Sequence, residues 1–595
     1  MLGKIERLLE NKLISVGVIA VLTLTVYSNS FTAPFTLDDY GSIVNNYAIR
    51  NPLDLSAIWH FYSNRFILYF TLSVNYFIHG TNVIGYHITN VVIHIFNGAL
   101  FFLILHRLLG LEYFSKRLCG RYRSLISLLC ALVFISHPVQ VNAVTYLVQR
   151  TAALAASFYL LSILFFIQYR IQNKARYFIA TMLFTLLAMF TKENTITIPF
   201  MLTVLEIIFF MKDPKTSWVK RGVMLFLLFL TIPVIPGTNL VLHGYSQSDP
   251  GVNFKASTSM DRFHYFYTEL NVLMVYIKLL LLPDRLNFDY SNDFPMSYTL
   301  WDHYSYISLM ILGILFIIGL YNIKRNKLAA LGILWFFITI SVESSFISIK
   351  DVYFEHRLYL PLAGFILCIA GFLLGERKQK GKKYLFQKPI LFFLSVSLVM
   401  ILQNSIITLQ RNFIFSDGIR LWSDVVSKAP NSDRAHSILG GNYLDSYENN
   451  PSANKGHLAL AEAELKKAIQ LNGSNDTALC NLAKVYLLKN EYAQCIDEAK
   501  KANRIQPSIY AYNNMGMAYR KMGRTDDAIQ AFLSGLNIDK KSTFLLENLG
   551  DVYFDIKDFE NARYYYNEYL KNTRYPSENV KEKLSKIESQ VSKTQ

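Results

Sequence analysis

Apolar stretches of roughly membrane-spanning length recur along the first 410 residues, and the rest of the chain is polar. A helix needs about 20 residues to cross the hydrocarbon core of a bilayer. Beyond residue 411 the charges alternate in sign. The pattern predicts an all-α chain with a polytopic membrane bundle of about 11 transmembrane helices. The predicted helices lie at 13–28, 85–106, 124–136, 143–168, 177–190, 196–211, 222–242, 303–321, 328–349, 358–375 and 389–409.

Basic residues set the predicted orientation of this bundle. The segments assigned to the cytoplasm are 1–12, 107–123, 169–176, 212–221, 322–328 and 376–388. The opposite segments are 29–84, 136–142, 191–195, 243–302 and 350–357. The first set holds 24 Lys plus Arg in 67 residues and the second holds 9 in 136. Since cytoplasmic loops carry the excess of Lys and Arg, the asymmetry predicts that the C-terminal region lies outside the cytoplasm.

Charge and the remaining apolar stretches fit the same topology. The formal net charge of +16 is concentrated in these loops, so it indicates a topogenic role and no nucleic-acid partner. Two apolar stretches, 65–79 and 264–283, are predicted to lie along the outer interface. Counting either one as a span would place a basic loop on the wrong side of the membrane. Residues 1–28 lack a small-residue cleavage site and are interpreted as an anchor.

The polar last third has a period near 34 residues, which is typical of stacked helical pairs. A small residue precedes a tyrosine by three positions in each unit, as in Gly516 and Tyr519, and a small residue recurs twelve positions later, as in Ala528. The period predicts an α-solenoid of four tetratricopeptide repeats at 433–475, 476–508, 509–542 and 543–576. A connecting helix at 411–432 precedes the repeats, and a polar C-terminal tail at 577–595 follows them.

Two adjacent carboxylates, Asp38 and Asp39, follow the first membrane helix in the first outer loop. A carboxylate at a membrane surface can act as a general base on a hydroxyl group. An acidic pair after an apolar run is also common as a helix cap or a solvated turn. Both interpretations remain open from these residues alone.

The second membrane helix carries a polar stripe formed by His87, Asn90, His94 and Asn97. Spacings of three, four and three residues place all four within about 80° of arc. Polar groups at this depth normally face a bundle interior or a water-filled cavity, and helix-to-helix hydrogen bonding is the equally plain alternative. The stripe does not favour a metal site, because His87 and His94 are about 10 Å apart along a helix.

Three further polar clusters lie at outer turns between apolar runs. They are His137 with Arg150 further on, Lys192 with Glu193, and Glu355-His356-Arg357. Cations at the ends of several helices can together bind a phosphate, although each cluster alone is more often an interfacial anchor or a local ion pair. No Walker loop, dinucleotide glycine pattern, zincin motif or cysteine ligand set occurs, so a soluble nucleotide donor bound in those ways is not expected.

These motifs, in this order and followed by the repeats, resemble the membrane glycosyltransferases of the GT-C fold that carry C-terminal tetratricopeptide repeats, the transmembrane and tetratricopeptide-repeat O-mannosyltransferases and their bacterial relatives. The resemblance assigns residues 1–410 to the transmembrane glycosyltransferase domain. Its matching stretches are Leu37 to Tyr40 with Asn45, Tyr86 to Asn90 with His94, His137 to Gln140 with Gln149 and Arg150, Thr191 to Glu193, and Glu355 to Pro361.

The resemblance implies an inverting transfer of a sugar, mannose in the best-known members, from a polyprenyl-phosphate donor to a hydroxyl of an extracytoplasmic protein. It implies that Asp38 and Asp39 are catalytic, with Asp38 as the favoured base. Donor-phosphate binding falls to Arg150, Lys192 and Arg357. Cavity-lining roles fall to His87, Asn90, His94, His137, Glu193 and Glu355. His356 departs from the plainer Glu-Arg that the family pattern leads us to expect.

Several properties remain alternatives at this stage. The repeats are expected to recruit the protein acceptor, whereas transfer to an envelope glycan or lipid and a non-enzymatic membrane-anchored scaffold are the other hypotheses. No metal ligand set is assigned, and a divalent metal requirement is open. A bacterial cytoplasmic membrane, with the repeats outside the cytoplasm, is favoured over the endoplasmic reticulum with luminal repeats, because no retention tetrapeptide ends the sequence.

Overall fold

A computed structural model describes residues 2–115, 117–211, 213, 216–235, 261–290, 293–349, 351–375, 387–573 and 576–594. The chain divides into two compact units, residues 1–290 with 294–421 and residues 291–293 with 422–595. No strand occurs in the described residues, so the all-α fold class is confirmed. The predicted connecting helix at 411–432 is divided between the end of Gln387–Phe415 and the helix Gly418–Lys428.

The first unit is built from helices of very different length. Its described α-helices are Leu2–Leu9, Lys12–Val26, Leu55–Phe61, Phe66–His79, Val83–Leu109, Glu112–Ser115, Leu118–Arg121, Arg123–Ser136, Val141–Val144, Arg150–Gln172, Ala175–Met189, Ile198–Leu205, Trp218–Phe229, Arg262–Leu281, Ser305–Asn322, Lys327–Ile340, Pro361–Leu374 and Gln387–Phe415. The boundary between the units falls within the next helix, Gly418–Lys428. Single 3-10 or π turns extend or connect the helices of the first unit at Tyr40–Val44, Tyr47–Ile49, Ser63–Arg65, Pro138–Gln140, Leu147–Gln149, Glu193–Thr197, Glu206–Phe210, Asp302–Tyr304 and Glu355–Leu358.

Each predicted membrane stretch coincides with a helix in the described residues. By length and composition, five described helices can cross a membrane alone, and two bent pairs bring the number to seven. The bends are 93° between Leu2–Leu9 and Lys12–Val26, and 52° between Arg123–Ser136 and Pro138–Val144. Three shorter apolar helices, such as Lys327–Ile340, also match predicted spans. The chain is a membrane protein with several apolar helices, and the count of eleven spans stays a prediction.

Parts of the predicted topology fall outside the described residues. These parts are the end of the predicted helix at 222–242, the residues of 243–302 up to 260, and most of the segment 376–388. The two stretches predicted at the outer interface form the helices Phe66–His79 and Arg262–Leu281. Their position along a membrane surface stays a prediction.

The basic segments predicted to be cytoplasmic meet at one end of the helices. Glu6 accepts hydrogen bonds from the backbone N–H groups of Ser124 and Leu125. Glu206 forms ion pairs with Arg170 at 2.8 Å and Arg221 at 3.1 Å. Lys327 stacks its ammonium over the Tyr113 ring at 4.2 Å. These contacts join segments that are distant in sequence, as expected if they share one side of the bilayer.

Two helices, Lys327–Ile340 and Pro361–Leu374, pack unusually closely because glycines face each other. A Cβ atom on Gly332 would lie 2.2 Å from the backbone nitrogen of Cys368, and one on Gly371 would lie 2.4 Å from the backbone nitrogen of Ala329. Such contacts let the backbones touch, which is the usual way for small residues to associate membrane helices. The loop between the two helices is therefore held at both ends.

The second unit is a stack of helical pairs. The pairs are Asp433–Asn449 with His457–Leu471, Asp476–Leu488 with Tyr492–Ile505, Ile509–Lys521 with Thr525–Ile538, and Thr543–Asp555 with Phe559–Asn572. Their boundaries agree with the four predicted repeats. The predicted small residues lie at the closest helix contacts, because Ala483, Ala528 and Ala562 are fully buried.

The predicted polar tail contains a further helix, Glu578–Thr594. Its apolar residues Val580, Leu584 and Ile587 are buried with the core of the last repeat. The side chain of Lys583 forms an ion pair with Asp551 at 2.7 Å. The helix covers an apolar surface that a further repeat would otherwise cover, as terminal capping elements of solenoids do.

The close helix contacts predict opposite effects of Gly→Ala at two glycines of the repeats. A Cβ atom on Gly516 would lie 2.5 Å from a ring carbon of the buried Phe532, whereas one on Gly441 meets only the Asn481 amide at 3.4 Å. Both changes gain helix propensity of about 1 kcal/mol. Gly441→Ala should therefore stabilise the repeats, and Gly516→Ala should destabilise them by about 1 to 3 kcal/mol, because a packed ring must move.

Hydrogen exchange of the repeat helices in the full chain measures both effects as changes in the free energy of opening. Equal stabilisation by the two alanines would contradict the packing described for Gly516.

Candidate functional site

The acidic pair lies in a loop with an uncommon backbone conformation. Leu37, directly before the pair, has a φ of +43°. Residues other than glycine rarely adopt a positive φ. The backbone N–H of Asp38 donates to the Tyr146 hydroxyl at 3.0 Å. The π turn Tyr40–Val44 follows immediately. Such strained conformations persist where the surrounding structure fixes them, and they concentrate at functional sites.

The two carboxylates have different environments. Asp38 is exposed, whereas Asp39 is fully buried. One Asp39 oxygen accepts from the N–H of Thr36 at 3.0 Å and the other from the N–H of Val148 at 2.7 Å. Both oxygens of Asp39 are thus used to fix the loop, and only Asp38 presents a carboxylate to solvent or substrate.

Burial changes the protonation of the anchoring carboxyl group. It raises the pKa of Asp39 to about 7, and the charge of Asp38 adds to this shift, against the opposing effect of the Thr36 and Val148 hydrogen bonds. Asp39 therefore approaches neutrality near physiological pH. A neutral Asp39 leaves the exposed Asp38 without a strong repulsive charge beside it.

The polar stripe of the helix Val83–Leu109 is hydrogen-bonded to neighbouring elements. His94 contacts the Tyr359 hydroxyl at 2.7 Å and the Ile135 carbonyl at 3.0 Å. Asn97 donates to the Ala153 carbonyl at 2.7 Å. His87 contacts the Ala33 carbonyl at 2.9 Å, and its Nδ1 has no hydrogen-bond partner. Helix-to-helix hydrogen bonding, one of the two interpretations of the stripe, accounts for most of its polar atoms.

Arg150 is fully buried and is bonded by neutral oxygens. Its Nε donates to Asn90 Oδ1 at 2.6 Å, and its two terminal nitrogens donate to the carbonyls of Thr71 and Tyr86 at 3.3 Å. Asn90 donates in turn to the Val144 carbonyl at 3.0 Å. Arg150 thereby joins three helices beside the acidic pair, and its assignment to a donor phosphate stays a prediction.

His137 and Glu355 also fix backbone turns. His137 caps the turn Pro138–Gln140 by accepting from the N–H of Val139 at 3.3 Å. Glu355 is buried, and its carboxylate accepts from the N–H of Asn287 at 2.5 Å and from the Asn142 amide at 3.2 Å. The two residues thus join turns from three separate segments of the chain.

Lys192 and Arg357 lie together in a second polar region. Lys192 forms an ion pair with Glu343 at 2.7 Å, and Arg357 forms one with Glu269 at 3.5 Å. The Asn194 amide donates to the second oxygen of Glu343 at 3.1 Å. All four charged side chains are at least nine-tenths buried. The two cations predicted to bind phosphate are therefore held by ion pairs in one buried region.

Glu193 forms a third ion pair in this part of the unit. The Arg65 guanidinium donates to both Glu193 oxygens, at 3.1 and 3.2 Å. This pair is more exposed than the other two, with side-chain accessibilities of 30% and 21%. A fork-to-fork pair of this kind is geometrically well defined. It leaves Glu193 beside the cations and not as an isolated acid.

A small cavity opens between these groups. Its polar lining comes from Lys192, Asn194, Thr195, His356, Arg357 and Tyr359, and its apolar lining comes from Ala152, Ala155, Ala156 and Leu360. Small residues on the helix Arg150–Gln172 make room for the cavity, since longer side chains would fill it. Polar groups on one side and methyl groups on the other suit a ligand with a compact anionic part.

His356, which departs from the expected family pattern, also lines this cavity. Burial lowers the pKa of His356 well below its usual value, and the charges of Lys192, Arg357 and Arg65 lower it further. Its ring stacks on Phe354 at 5.1 Å. Within the described residues neither ring nitrogen makes a hydrogen bond. The neutral ring can therefore donate one hydrogen bond to a ligand in the cavity.

Tyr69 connects the acidic pair with the cations. Burial raises the pKa of the Tyr69 hydroxyl, and it experiences the charges of Arg65, Asp38 and Glu193. His356 experiences the charges of Arg65, Lys192 and Arg357. Arg65 is therefore near both the Tyr69 hydroxyl and the His356 ring. The structure brings the acidic loop and the basic clusters of the first unit into one region, although they are up to 319 positions apart in sequence.

Partners of the cations were harder to find from the sequence than the cations themselves. A charged residue that interrupts or flanks an apolar stretch is often buried. This pattern applies to Arg65, Glu269 and Glu343. Which acid meets which base depends on helix packing that no local pattern records. The sequence therefore predicted the charges and not the pairs.

The different roles of the two carboxylates predict different effects of Asp→Asn on the loop. An amide has one acceptor oxygen, so Asp39→Asn leaves one of the two backbone N–H groups, of Thr36 or Val148, without an acceptor. This should destabilise the loop by about 1 to 3 kcal/mol. Asp38→Asn should leave the loop unchanged, because its side chain is exposed. Hydrogen exchange of residues 36–45 distinguishes the two.

The same loop should depend on pH through Asp39. The pKa of Asp39 is higher in the folded loop, about 7, than in an unfolded chain, about 3.9. The protonated carboxyl therefore favours the folded loop, and this contribution is present below about pH 4 and lost as the pH rises through about 7. Protection corrected for intrinsic exchange should fall over that interval in the wild-type chain and stay constant in Asp39→Asn. A rise in protection with pH would contradict the raised pKa.

Comparisons with known proteins agree with these features. A family model described as "Tetratricopeptide repeat" matches residues 509–542 and 545–574. The protein O-mannosyl-transferase TMTC4 of Mus musculus is 25% identical over 491 residues, which cover 72% of this chain and 64% of that protein. The protein O-mannosyl-transferase TMTC2 of Mus musculus is 26% identical over 305 residues, 46% of this chain and 35% of that protein.

The crystal structure of MamA covers 27% of this chain and 90% of its own, with 23% identity and a TM-score of 0.23. The chain spans 64% or less of the length of the two transferases above. The last third of the chain contains tetratricopeptide repeats, and similarity over 72% of the chain confirms its resemblance to the transmembrane and tetratricopeptide-repeat O-mannosyltransferases.

Proposed function

We propose that the chain transfers a sugar from a polyprenyl-phosphate donor to a hydroxyl group of a protein outside the cytoplasm. The observation that supports this most directly is an exposed carboxylate, Asp38, in the same region of the first unit as a buried cavity lined by Lys192 and Arg357. The names of the similar proteins support mannose as the sugar and protein as the acceptor. A GT-C-type inverting mechanism follows from the same resemblance.

Asp38 acts as the base in this proposal. Its carboxylate takes the proton of the acceptor hydroxyl while that oxygen attacks the anomeric carbon of the sugar. The bond between the anomeric carbon and the phosphate oxygen breaks, and the phosphate leaves with the bonding electrons. Attack from the face opposite the phosphate inverts the configuration. Asp39 holds the loop through its two backbone hydrogen bonds.

The cavity receives the donor phosphate in this proposal. Lys192 and Arg357 stabilise its negative charge, and His356 donates a hydrogen bond without adding a charge. Preorganised groups in a region with little water stabilise a developing charge more strongly than water does. The cations keep their carboxylate partners Glu343 and Glu269, so the site is rigid before the donor arrives.

The tetratricopeptide repeats present the acceptor in this proposal. Repeat solenoids bind extended or helical segments of other proteins along their surfaces. The four repeats and the terminal helix provide such a surface, and the predicted topology places them outside the cytoplasm, on the side of the acidic loop. A bacterial cytoplasmic membrane remains our preferred location, with the endoplasmic reticulum as the alternative.

Asp38→Asn should abolish most transfer while the chain remains folded and inserted. Loss of a general base lowers the rate by about 10² to 10⁴-fold. Incorporation of labelled mannose from polyprenyl-phosphate mannose into extracytoplasmic proteins measures the rate. Asp54→Asn is a suitable control, because Asp54 lies in the same outer segment and caps the helix Leu55–Phe61. Unchanged transfer in Asp38→Asn would favour the scaffold hypothesis.

His356→Phe should weaken donor binding without removing the reaction. A hydrogen bond to a charged group contributes about 1.5 kcal/mol, so the donor KM should rise about tenfold while kcat changes little. Phenylalanine retains the ring that stacks on Phe354. His356→Gln keeps an N–H donor and should retain most of the affinity. Equal KM values in all three proteins would remove His356 from the donor site.

A further inference from the structure

A second cationic cluster lies at the opposite, predicted cytoplasmic end of the helices. It consists of Lys12, Arg107 and Arg123 around His106. The charges of Arg107 and Arg123 repel the ammonium of Lys12, and all three cations act on the His106 ring. Three separate helices, Lys12–Val26, Val83–Leu109 and Arg123–Ser136, contribute these residues. The cluster therefore forms through packing and is not a basic run in one loop.

These cations have no anionic partner in the described part of the chain. Lys12, Arg107 and Arg123 form neither an ion pair nor a side-chain hydrogen bond there. The neighbouring acid, Glu6, uses its two oxygens for the N–H groups of Ser124 and Leu125, at 2.9 and 3.0 Å. Gathering three like charges without compensation is unfavourable, so a bound anion would stabilise the arrangement.

His106 points to the same conclusion independently of the charges. Its side chain is 94% buried, since only 6% is accessible, and its Nδ1 has no hydrogen-bond partner. A buried polar atom without a partner is costly, and native structures usually satisfy it with a ligand or water. A topogenic role requires basic residues only on the correct side of the membrane. It does not require a buried histidine among them.

The apolar surface beside the cluster indicates what kind of anion binds. Leu13, directly after Lys12, is 80% exposed, and Leu8 is 58% exposed. Further along the same face of the helix, Val21 is 67% exposed. An anion with an attached hydrocarbon chain can place its phosphate among the cations and its chain along this face. Basic residues near a cytoplasmic leaflet are attracted to anionic lipid.

We propose that Lys12, His106, Arg107 and Arg123 form a binding site for the phosphate of an anionic phospholipid in the cytoplasmic leaflet. The arginines bind the phosphate oxygens with their planar donors, Lys12 contributes a point charge, and His106 donates a hydrogen bond. The site is separate from the proposed donor cavity and does not depend on transferase activity. The bound lipid ties together the cytoplasmic ends of three helices.

Thermal unfolding of the purified full chain in neutral detergent tests the site. The additives are dioleoylphosphatidylglycerol, dioleoylphosphatidylcholine and inorganic phosphate at equal phosphorus concentration. A ligand that binds only the folded chain raises Tm. Phosphatidylglycerol should raise Tm by several degrees, and the other two should raise it much less. An equal effect of inorganic phosphate would show that the site takes a free anion and would overturn the lipid assignment.

Two triple variants with the same loss of charge separate a specific site from general attraction. Lys12→Gln with Arg107→Gln and Arg123→Gln should lose the response to phosphatidylglycerol. Lys174→Gln with Arg176→Gln and Arg325→Gln removes exposed cations of the same predicted side and should keep it. Equal responses in both variants would overturn the proposal. The single change Lys12→Gln, at a half-buried position, should reduce the response even if the triple variant folds poorly.

Discussion

Backbone groups inside an apolar environment must find hydrogen-bond partners within the protein, and the first unit depends on this constraint. Helical structure between Arg123 and Gln172 is interrupted several times, and each interruption frees carbonyl groups. His94 and Asn90 supply polar atoms to the carbonyls of Ile135 and Val144, which lie at such helix ends. The polar stripe therefore permits the irregular backbone that carries Arg150 and supports the acidic loop.

Two groups of cations in the first unit differ in their partners. At one end each of Arg65, Lys192 and Arg357 has a glutamate partner, and the cavity between them is nearly neutral before a ligand binds. At the other end Lys12, Arg107 and Arg123 have no such partner. The first group is held by ion pairs within the protein, and the second is the group that we propose to bind an anion.

The sequence predicted the elements of the fold well because periodicity is a local property. The 34-residue period located all four helical pairs, and apolar length located a helix in each predicted membrane stretch. The terminal helix Glu578–Thr594 was not predicted, because it has few apolar residues and its sequence is mostly polar. Val580 and Ile587 are nevertheless buried. The number of spans is beyond such reasoning, because several helices are shorter than a bilayer is thick.

The candidate site was predictable as a set of residues and not as an arrangement. Nothing in the sequence distinguishes the two adjacent aspartates. In the structure Asp38 is exposed, whereas Asp39 is buried and accepts hydrogen bonds from the N–H groups of Thr36 and Val148. His356 appeared as a departure from the expected motif, whereas in the structure it lines the cavity. Burial and partner choice depend on contacts between distant segments, which a single sequence does not record.

The close glycine contacts of Lys327–Ile340 and Pro361–Leu374 have a consequence for how a substrate reaches the cavity. His356 and Arg357 lie just before the second of these helices, so the wall that carries them is anchored to a stiff hairpin. We therefore expect this side of the cavity to stay fixed when a substrate enters. We expect the proposed donor to enter from the facing side, where alanines of Arg150–Gln172 line the cavity.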